Sequence, residues 1–179
     1  MSLIILDRDG VINHDSDDFI KSPAEWIPIE GSLEAIARLN YAGYRVVVIT
    51  NQSGVARGLL DVDTLTKIHS KMRRMLAQLG GKIEAIIYCP HGPDDNCSCR
   101  KPKEGSFLDL ANRLRIDLTN IPAVGDSLRD LQAAQLVGAR PILVKTGKGE
   151  RTLAENNLDE IEVYDDLASV VTALLEEKV

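Results

Sequence analysis

Polar side chains lie at the ends of, or shortly beyond, four apolar runs, and their types suit phosphoryl transfer. These side chains are Asp7, Asp9, Thr50, Ser53, Arg100, Lys101, Asp126 and Asp130. A carboxylate such as Asp7, with a reference pKa of ~3.9, is ionised at neutral pH and can attack phosphorus without a separate base. Lys101 offers a positive charge to phosphoryl oxygens, and Thr50 offers a hydroxyl donor. Asp9 can act as general acid toward the leaving oxygen and then as general base on water.

Two of the carboxylates also suit a hard divalent cation, because such cations prefer oxygen ligands. Asp7 and Asp126 are the candidate ligands of Mg²⁺, which would screen the Asp7 carboxylate from the phosphate. Each motif alone has a simpler interpretation: Asp126 could cap the following helix, and Lys101 could be a solvated charge. His69 has no partner at helical spacing and is expected to be a surface or packed residue.

Alternating strand and helix patterns predict how these groups are brought together. Apolar runs predict strands over 3–6, 45–49, 83–88, 122–124 and 141–144, with an edge strand over 161–164. Periodic patterns predict helices from Ser32 to a stop at Gly43 and over 62–79, 105–114, 128–137, 152–156 and 167–175. The alternation predicts an α/β fold: a doubly wound (Rossmann-like) parallel sheet of about five to six strands with helices on both faces. The carboxyl ends of such strands share one edge, so the polar groups can converge.

The composition is that of an ordinary soluble globular protein. Residues 1–179 are 44% apolar and 27% charged, and we expect a single domain without a separate cap. The net charge of −6 disfavours a nucleic acid or an anionic membrane as partner. No apolar run approaches the ~20 residues of a membrane span, and no signal peptide is visible. We therefore expect a cytoplasmic protein, and we also expect it to be a monomer.

One loop holds all three cysteines and a histidine, a set that matches a zinc site. The potential ligands are Cys89, His91, Cys97 and Cys99. Three thiolates and one imidazole make a closed tetrahedral Zn²⁺ site of the structural kind. The alternative is a set of free thiols with His91 as an ordinary loop residue. A metal would order the loop and direct Arg100 and Lys101, the next residues, into the site.

The ordered set Asp7-x-Asp9, Thr50, Lys101 and Gly125-Asp126-x-x-x-Asp130 resembles the four motifs of the haloacid dehalogenase-like phosphatases. The resemblance implies that Asp7 is a nucleophile that forms an aspartyl-phosphate and that Asp9 is the acid and base. It implies Mg²⁺ on Asp7, the Asp9 backbone carbonyl and Asp126. Thr50 and Lys101 would hold the phosphoryl group, with Asp130 in support.

The cysteine loop is similar to that of one branch, the heptose bisphosphate and histidinol-phosphate phosphatases. Both share Asp-Arg-Asp-Gly and Cys-x-His…Cys-x-Cys-Arg-Lys-Pro, and the short gap between His91 and Cys97 keeps the histidinol alternative open. The stretch Thr50-Asn51-Gln52-Ser53-Gly54-Val55-Ala56-Arg57-Gly58 resembles the heptose branch. The resemblance thus implies hydrolysis of the 7-phosphate of D-glycero-D-manno-heptose 1,7-bisphosphate, a small phosphorylated sugar of lipopolysaccharide biosynthesis.

A bisphosphate needs a second cationic contact for the phosphate that it retains. Arg100, with its bidentate guanidinium, is the candidate. With the residues that the resemblance implies, the expected substrate-binding set is Asp7, Arg8, Asp9, Asp15, Ser16, Asp17, Asp18, Thr50, Asn51, Gln52, Ser53, Arg100 and Lys101.

Two other classes of protein remain open from the residues alone. A signalling receiver domain also combines Asp, Thr, Lys and Mg²⁺, but its phosphorylated aspartate follows the third strand, where this chain has cysteines. A zinc-dependent interaction module would use the sheet only as a scaffold. Catalytic turnover that depends on Asp7 separates both from a phosphatase.

Overall fold

Six parallel strands form one sheet in the computed structural model, which describes residues 2–177. The strands are β1 (Ser2–Leu6), β2 (Tyr44–Asn51), β3 (Ala85–Cys89), β4 (Pro122–Gly125), β5 (Arg140–Val144) and β6 (Glu162–Tyr164). Their order across the sheet is β3-β2-β1-β4-β5-β6. The central strand β1 pairs with β2 on one side and β4 on the other. The carboxyl ends of these three strands therefore meet at the middle of one edge.

Helices cover both faces of the sheet, which confirms the predicted doubly wound fold. They are α1 (Ser32–Tyr41), α2 (Val62–Gln78), α3 (Gly105–Leu114), α4 (Leu128–Leu136), α5 (Gly149–Glu155) and α6 (Leu167–Glu176). Ile4 and Leu6 of β1 belong to a core with α1, α2 and α6, whereas Leu3 and Ile5 belong to a core with α3 and α4. Strand side chains alternate between the two faces of a sheet, and both faces are buried at β1. The strand is therefore apolar at all four positions. Within residues 2–177, no helix is both long and apolar enough to cross a bilayer.

Two strands differ from the predicted bounds in a way that matters for the site. β2 continues past its apolar run because Thr50 pairs with Tyr88 and Asn51 pairs with Cys89 of β3. The side chain of Thr50 is therefore held by the sheet and not by a turn. β3 begins at Ala85 instead of residue 83, and α5 begins at Gly149 instead of residue 152.

The start of α4 fixes the last polar segment. Ser127 is the N-cap, and its backbone N and Oγ donate to Asp130 Oδ2 at 3.0 and 2.7 Å. This bonding ties the first turn of the helix to its cap. Asp126 lies one residue before the cap, directly after β4, so its carboxylate is not used to cap the helix.

Candidate active site

The structure brings most of the predicted residues together in one cleft of about 290 Å³ at the carboxyl edge of the sheet. Asp7 follows β1, Thr50 lies in β2, and Asp126 follows β4. The predicted residues that line the cleft are Asp7, Asp9, Asp15, Ser16, Asp17, Thr50, Asn51, Gln52, Ser53, Arg100, Lys101 and Asp126. Asp130, the expected supporting residue, also lines it.

Lys101 is the buried cation of the cleft. Its Nζ lies 2.6 Å from Asp130 Oδ1 and 3.0 Å from Asp7 Oδ1, and it donates to the Ile49 carbonyl at 2.8 Å. Burial opposes the charge of Lys101, but Asp130 and Asp7 outweigh burial and raise its pKa. Lys101 is therefore a fixed ammonium, and the interpretation as a solvated charge is excluded.

Three carboxylates share this small volume. Asp7, Asp126 and Asp130 each place one oxygen within 4.8 Å of the others. Burial, with the charge of Asp130, raises the pKa of Asp7 to about 7 and that of Asp126 to about 8. The reference value of ~3.9 therefore does not describe Asp7 in this setting.

The donor set of the cleft fits a hard divalent cation. Burial would raise the pKa of Asp130, but Lys101 and Ser127 outweigh it and lower that pKa. Asp130 thus has its partners, whereas Asp7 and Asp126 repel each other. Among residues 2–177, Asp7 shares its one ion pair, with Lys101, and Asp126 forms none. A bound cation would keep the carboxylates of Asp7 and Asp126 ionised. Ionised carboxylate oxygens are the ligands that Mg²⁺ prefers.

The backbone holds the Asp126 carboxylate in place. Oδ2 of Asp126 accepts a hydrogen bond from the Lys148 backbone N at 2.8 Å. The backbone carbonyl of Asp126 accepts one from Thr152 Oγ1 at 2.9 Å. Gly10 and Gly147 approach the same carboxylate so closely that a Cβ at either position would overlap it. Glycine is therefore required here to leave room for Asp126.

The Asp9 carboxylate is held by donors on both oxygens. Oδ1 accepts from Arg8 Nε and Asn13 Nδ2, each at 2.9 Å, and Oδ2 accepts from Gln52 Nε2 at 2.9 Å. Burial alone would raise the pKa of Asp9, but Arg8 and these amides outweigh it and lower the pKa. Asp9 is therefore ionised in the free protein.

Two residues of the predicted substrate-binding set hold other site residues in position. The side chain of Asn51 donates to the Lys101 carbonyl at 3.0 Å and accepts from the Lys101 backbone N at 3.1 Å. Gln52 Nε2 donates to Thr50 Oγ1 at 2.9 Å as well as to Asp9. Both line the cleft, but their amides are already engaged.

Arg8 and Asp18, also in the predicted substrate-binding set, lie off the cleft wall. Arg8 is fully buried, and its guanidinium contacts Asp9 and His69. Asp18 is exposed and does not line the cleft. Arg8 does not reach the cleft because its guanidinium is buried in the interior, where it pairs with Asp9 and His69.

Several cleft residues were not predicted. They are Arg57, Arg129, Lys148, Pro93, Ser127 and the apolar pair Phe19 and Ile20. Arg129 lies inside the Gly125-Asp126-x-x-x-Asp130 motif, and Arg57 lies inside the stretch from Thr50 to Gly58, so positive charge within both motifs was the available signal. The Lys148 Nζ pairs with Asp15 Oδ2 at 3.1 Å and thereby joins two loops over the cleft.

The cysteine loop gathers its four predicted ligands. Cys89 Sγ lies 3.1 Å from Cys99 Sγ and 3.7 Å from Cys97 Sγ, and His91 Nδ1 lies 3.6 Å from Cys89 Sγ. Ligands about 2.3 Å from a zinc ion at tetrahedral corners lie roughly 3.7 Å apart. The four side chains therefore fit a closed Zn²⁺ site. The last of them, Cys99, lies two residues before Lys101 in the sequence.

Known proteins match this chain over nearly its whole length. A relative from Bordetella bronchiseptica, named D-glycero-beta-D-manno-heptose-1,7-bisphosphate 7-phosphatase, is 60% identical over 178 residues, which is 99% of each chain. A relative of the same name from Pseudomonas aeruginosa is 54% identical over 98% of each chain. A family model described as HAD-hydrolase-like matches residues 98–170. The chain belongs to the haloacid dehalogenase-like phosphatases.

A solved structure of this phosphatase family matches equally well. The crystal structure of D,D-heptose 1,7-bisphosphate phosphatase from B. bronchiseptica, complexed with magnesium and phosphate, aligns with a TM-score of 0.97 at 60% identity over 99% of each chain. The predicted resemblance is confirmed. The family and this complex support Mg²⁺ as the cofactor of a haloacid dehalogenase-like phosphatase with this cleft.

The contact between Gly10 and Asp126 can be tested with a matched pair of substitutions. Gly10 and Gly43 have φ values of 82° and 83°, but a Cβ at Gly43 would meet no atom within 4 Å. Both Gly→Ala changes carry a backbone cost of about 1 kcal/mol, visible as a shift in urea unfolding. We expect only Gly10→Ala to displace Asp126 and to raise the Mg²⁺ concentration for half-maximal phosphatase activity, by about tenfold or more. An equal Mg²⁺ dependence in both variants would contradict the assignment of Asp126 to the cation.

Proposed function

We propose that this chain hydrolyses the 7-phosphate of D-glycero-β-D-manno-heptose 1,7-bisphosphate, on the way to nucleotide-activated heptose for bacterial lipopolysaccharide. The central observation is the buried Lys101 paired with Asp7, whose carboxylate lies next to that of Asp126, in a chain that matches relatives of that activity over 98–99% of both lengths. The names of these relatives specify the β anomer, on which the sequence alone is silent.

In the first step, Asp7 is the nucleophile. One of its carboxylate oxygens forms a bond to the phosphorus of the 7-phosphate, and the bond from phosphorus to the sugar oxygen breaks. Asp9 gives its proton to that oxygen, which leaves as the sugar alcohol. Lys101 and the Thr50 hydroxyl hold the phosphoryl oxygens. Mg²⁺ bound by Asp7, the Asp9 carbonyl and Asp126 would reduce the repulsion between carboxylate and phosphate.

In the second step, water releases the phosphate. Asp9 removes a proton from water, whose oxygen attacks the phosphorus of the aspartyl-phosphate, and the bond to Asp7 breaks. The lowered pKa of Asp9 keeps it ionised before substrate arrives. The negative charge of an incoming phosphate raises that pKa as a like charge does, so that Asp9 takes up from solvent the proton that it donates in the first step.

The arginines of the cleft favour a substrate with two phosphates. Burial lowers the pKa of Arg100, and the positive charges of Arg129 and Arg57 lower it further, so both of these residues lie close enough to repel the Arg100 guanidinium. A second phosphate would relieve that repulsion and accept their hydrogen bonds. Histidinol phosphate, the alternative substrate, has a single phosphate and offers this cluster no anion.

The nucleophile and the substrate are tested together. We expect Asp7→Asn to lower kcat on heptose 1,7-bisphosphate by at least about 1,000-fold, as for other nucleophiles, whereas Asp63→Asn on α2 leaves it unchanged. Near-normal activity of Asp7→Asn would exclude the mechanism. The wild-type protein should have a higher kcat/KM for heptose bisphosphate than for histidinol phosphate, and the reverse order would assign the alternative.

The role of Arg100 is tested by comparing two substrates. Arg100→Ala should raise KM for heptose 1,7-bisphosphate about 10- to 100-fold, because a charged hydrogen bond contributes roughly 1.5–3 kcal/mol. KM for a simple aryl phosphate should change far less, since that substrate has no second phosphate. Arg113→Ala, on the outer part of α3, serves as the control. Equal effects of Arg100→Ala on both substrates would remove the proposed role.

We also propose that Cys89, His91, Cys97 and Cys99 bind one structural Zn²⁺. The loop is linked to its surroundings by hydrogen bonds from Ala56 N to the Pro90 carbonyl at 3.1 Å and from Lys103 Nζ to the Cys97 carbonyl at 2.7 Å. The zinc would order this loop and thereby place the residues that follow it, Arg100 and Lys101.

Metal content tests the zinc site directly. Protein purified without added zinc should contain about one zinc ion per chain by elemental analysis. Cys97→Ser should lose most of this zinc and much of the activity, whereas Ser98→Ala, between two of the ligands, should keep both. Fully active wild-type protein without zinc would refute the site.

Residues 1–179 would form a single domain, since one sheet with helices on both faces spans the described residues 2–177. We propose a monomer in the cytoplasm, where phosphorylated sugars are made, without a nucleic acid or a membrane as partner. The net charge of −6 agrees with that choice of partners.

A further inference from the structure

Arg8 is a fully buried arginine whose guanidinium is shared between two acceptors. Its Nε and Nη2 lie 2.9 and 2.8 Å from Asp9 Oδ1. Its Nη1 lies 3.1 Å from Nε2 of His69, a residue of α2 that is 61 positions away in sequence. One edge of the planar group thus contacts Asp9, and the Nη1 atom contacts His69.

The hydrogen-bond direction at His69 follows from chemistry. Arginine has only donors, so Nε2 of His69 accepts, and the ring proton of the neutral imidazole lies on Nδ1. Burial lowers the pKa of His69 to about 3. The positive charges of Arg8 and Arg73 also lower it, and the negative charge of Asp9 opposes them. His69 is therefore neutral and remains an acceptor under working conditions.

The His69 ring has a fixed position of its own. Its side chain is buried between α2 and the sheet, and the ring packs at 54° against Tyr88 of β3 with 6.2 Å between centroids. A rigid acceptor at Nη1 restricts rotation of the guanidinium plane. Since Nε and Nη2 share that plane, the orientation of the Asp9 carboxylate is restricted as well.

We propose that His69 is a positioning residue for Asp9, acting through Arg8. The inference rests on the proposed function of Asp9 as the acid that protonates the leaving sugar oxygen. A histidine that only fills the core would be replaceable by an apolar ring. A positioning histidine needs its acceptor atom, and its loss should matter most when the leaving group needs a proton.

Two substrates with different leaving groups test the proposal. Heptose 1,7-bisphosphate releases an alcohol that needs a proton, whereas p-nitrophenyl phosphate releases a stable phenolate that does not. The measured quantity is kcat/KM, which covers the steps up to loss of the leaving group. His69→Phe keeps a ring against Tyr88 without an acceptor, and we expect it to lower kcat/KM for the sugar about 10- to 100-fold and that for the aryl phosphate less than about threefold.

Rescue by a conservative variant separates positioning from packing. His69→Gln restores an acceptor, its Oε1, and should keep kcat/KM for the sugar within about fivefold of wild type. Ile68→Val, at the neighbouring buried position of α2, controls for a small disturbance of the core and should show no difference between substrates. If His69→Phe does not fold, His69→Leu takes its place in the same comparison.

The outcome also distinguishes this inference from the proposed function. Asp9→Asn should show the same preference for the aryl substrate, only more strongly. If Asp9→Asn affects both substrates equally, the acid role of Asp9 fails. If Asp9→Asn discriminates but the apolar variants at position 69 do not, or if they lower both activities equally, the positioning role of His69 is overturned while the function stands.

Discussion

The ammonium of Lys101 balances only part of the negative charge buried at the ends of β1 and β4. Asp7, Asp126 and Asp130 place three carboxylates against this one ammonium, which leaves two negative charges if all three are ionised. Isolated charge in a poorly solvated site is costly, so the pKa values of Asp7 and Asp126 rise. A divalent cation corrects this imbalance, and only then is Asp7 fully available as a nucleophile.

The topology explains why Lys101 can reach that position. The strand order places β1 between β2 and β4, so Asp7 lies at the centre of the carboxyl edge. Lys101 arrives from the loop beyond β3, on the far side of β2, and Asn51 at the end of β2 holds its backbone by two hydrogen bonds. The extra strand pairing of Thr50 and Asn51 with β3 therefore serves the site as well as the sheet.

The sequence predicted the sheet and the converging residues because both depend on short-range patterns. Apolar runs mark buried strands, and polar residues at their ends must share one edge of a parallel sheet. Contacts made by long side chains across the fold were beyond such reasoning. The bond from Arg8 to His69 joins the segment after β1 to a helix far along the chain, and the direction of the Arg8 side chain depends on packing. For the same reason Arg57 and Arg129 were missed. Asp18 was expected at the site together with its neighbours from Asp15 onward, but its short side chain is exposed and does not reach the cleft.

Four aspartates of identical chemistry take different roles in this cleft because their donors differ. Asp9 and Asp130 accept hydrogen bonds from charged groups, and their pKa values fall despite burial. Asp7 and Asp126 have fewer such donors, and their pKa values rise. The first pair is therefore ionised at neutral pH without a cation, while the ionisation of the second pair depends on one. Asp9 differs from Asp130 in that its side chain is more exposed, 20% against 8%, so the charge of an incoming phosphate can raise its pKa and let it take up a proton from solvent.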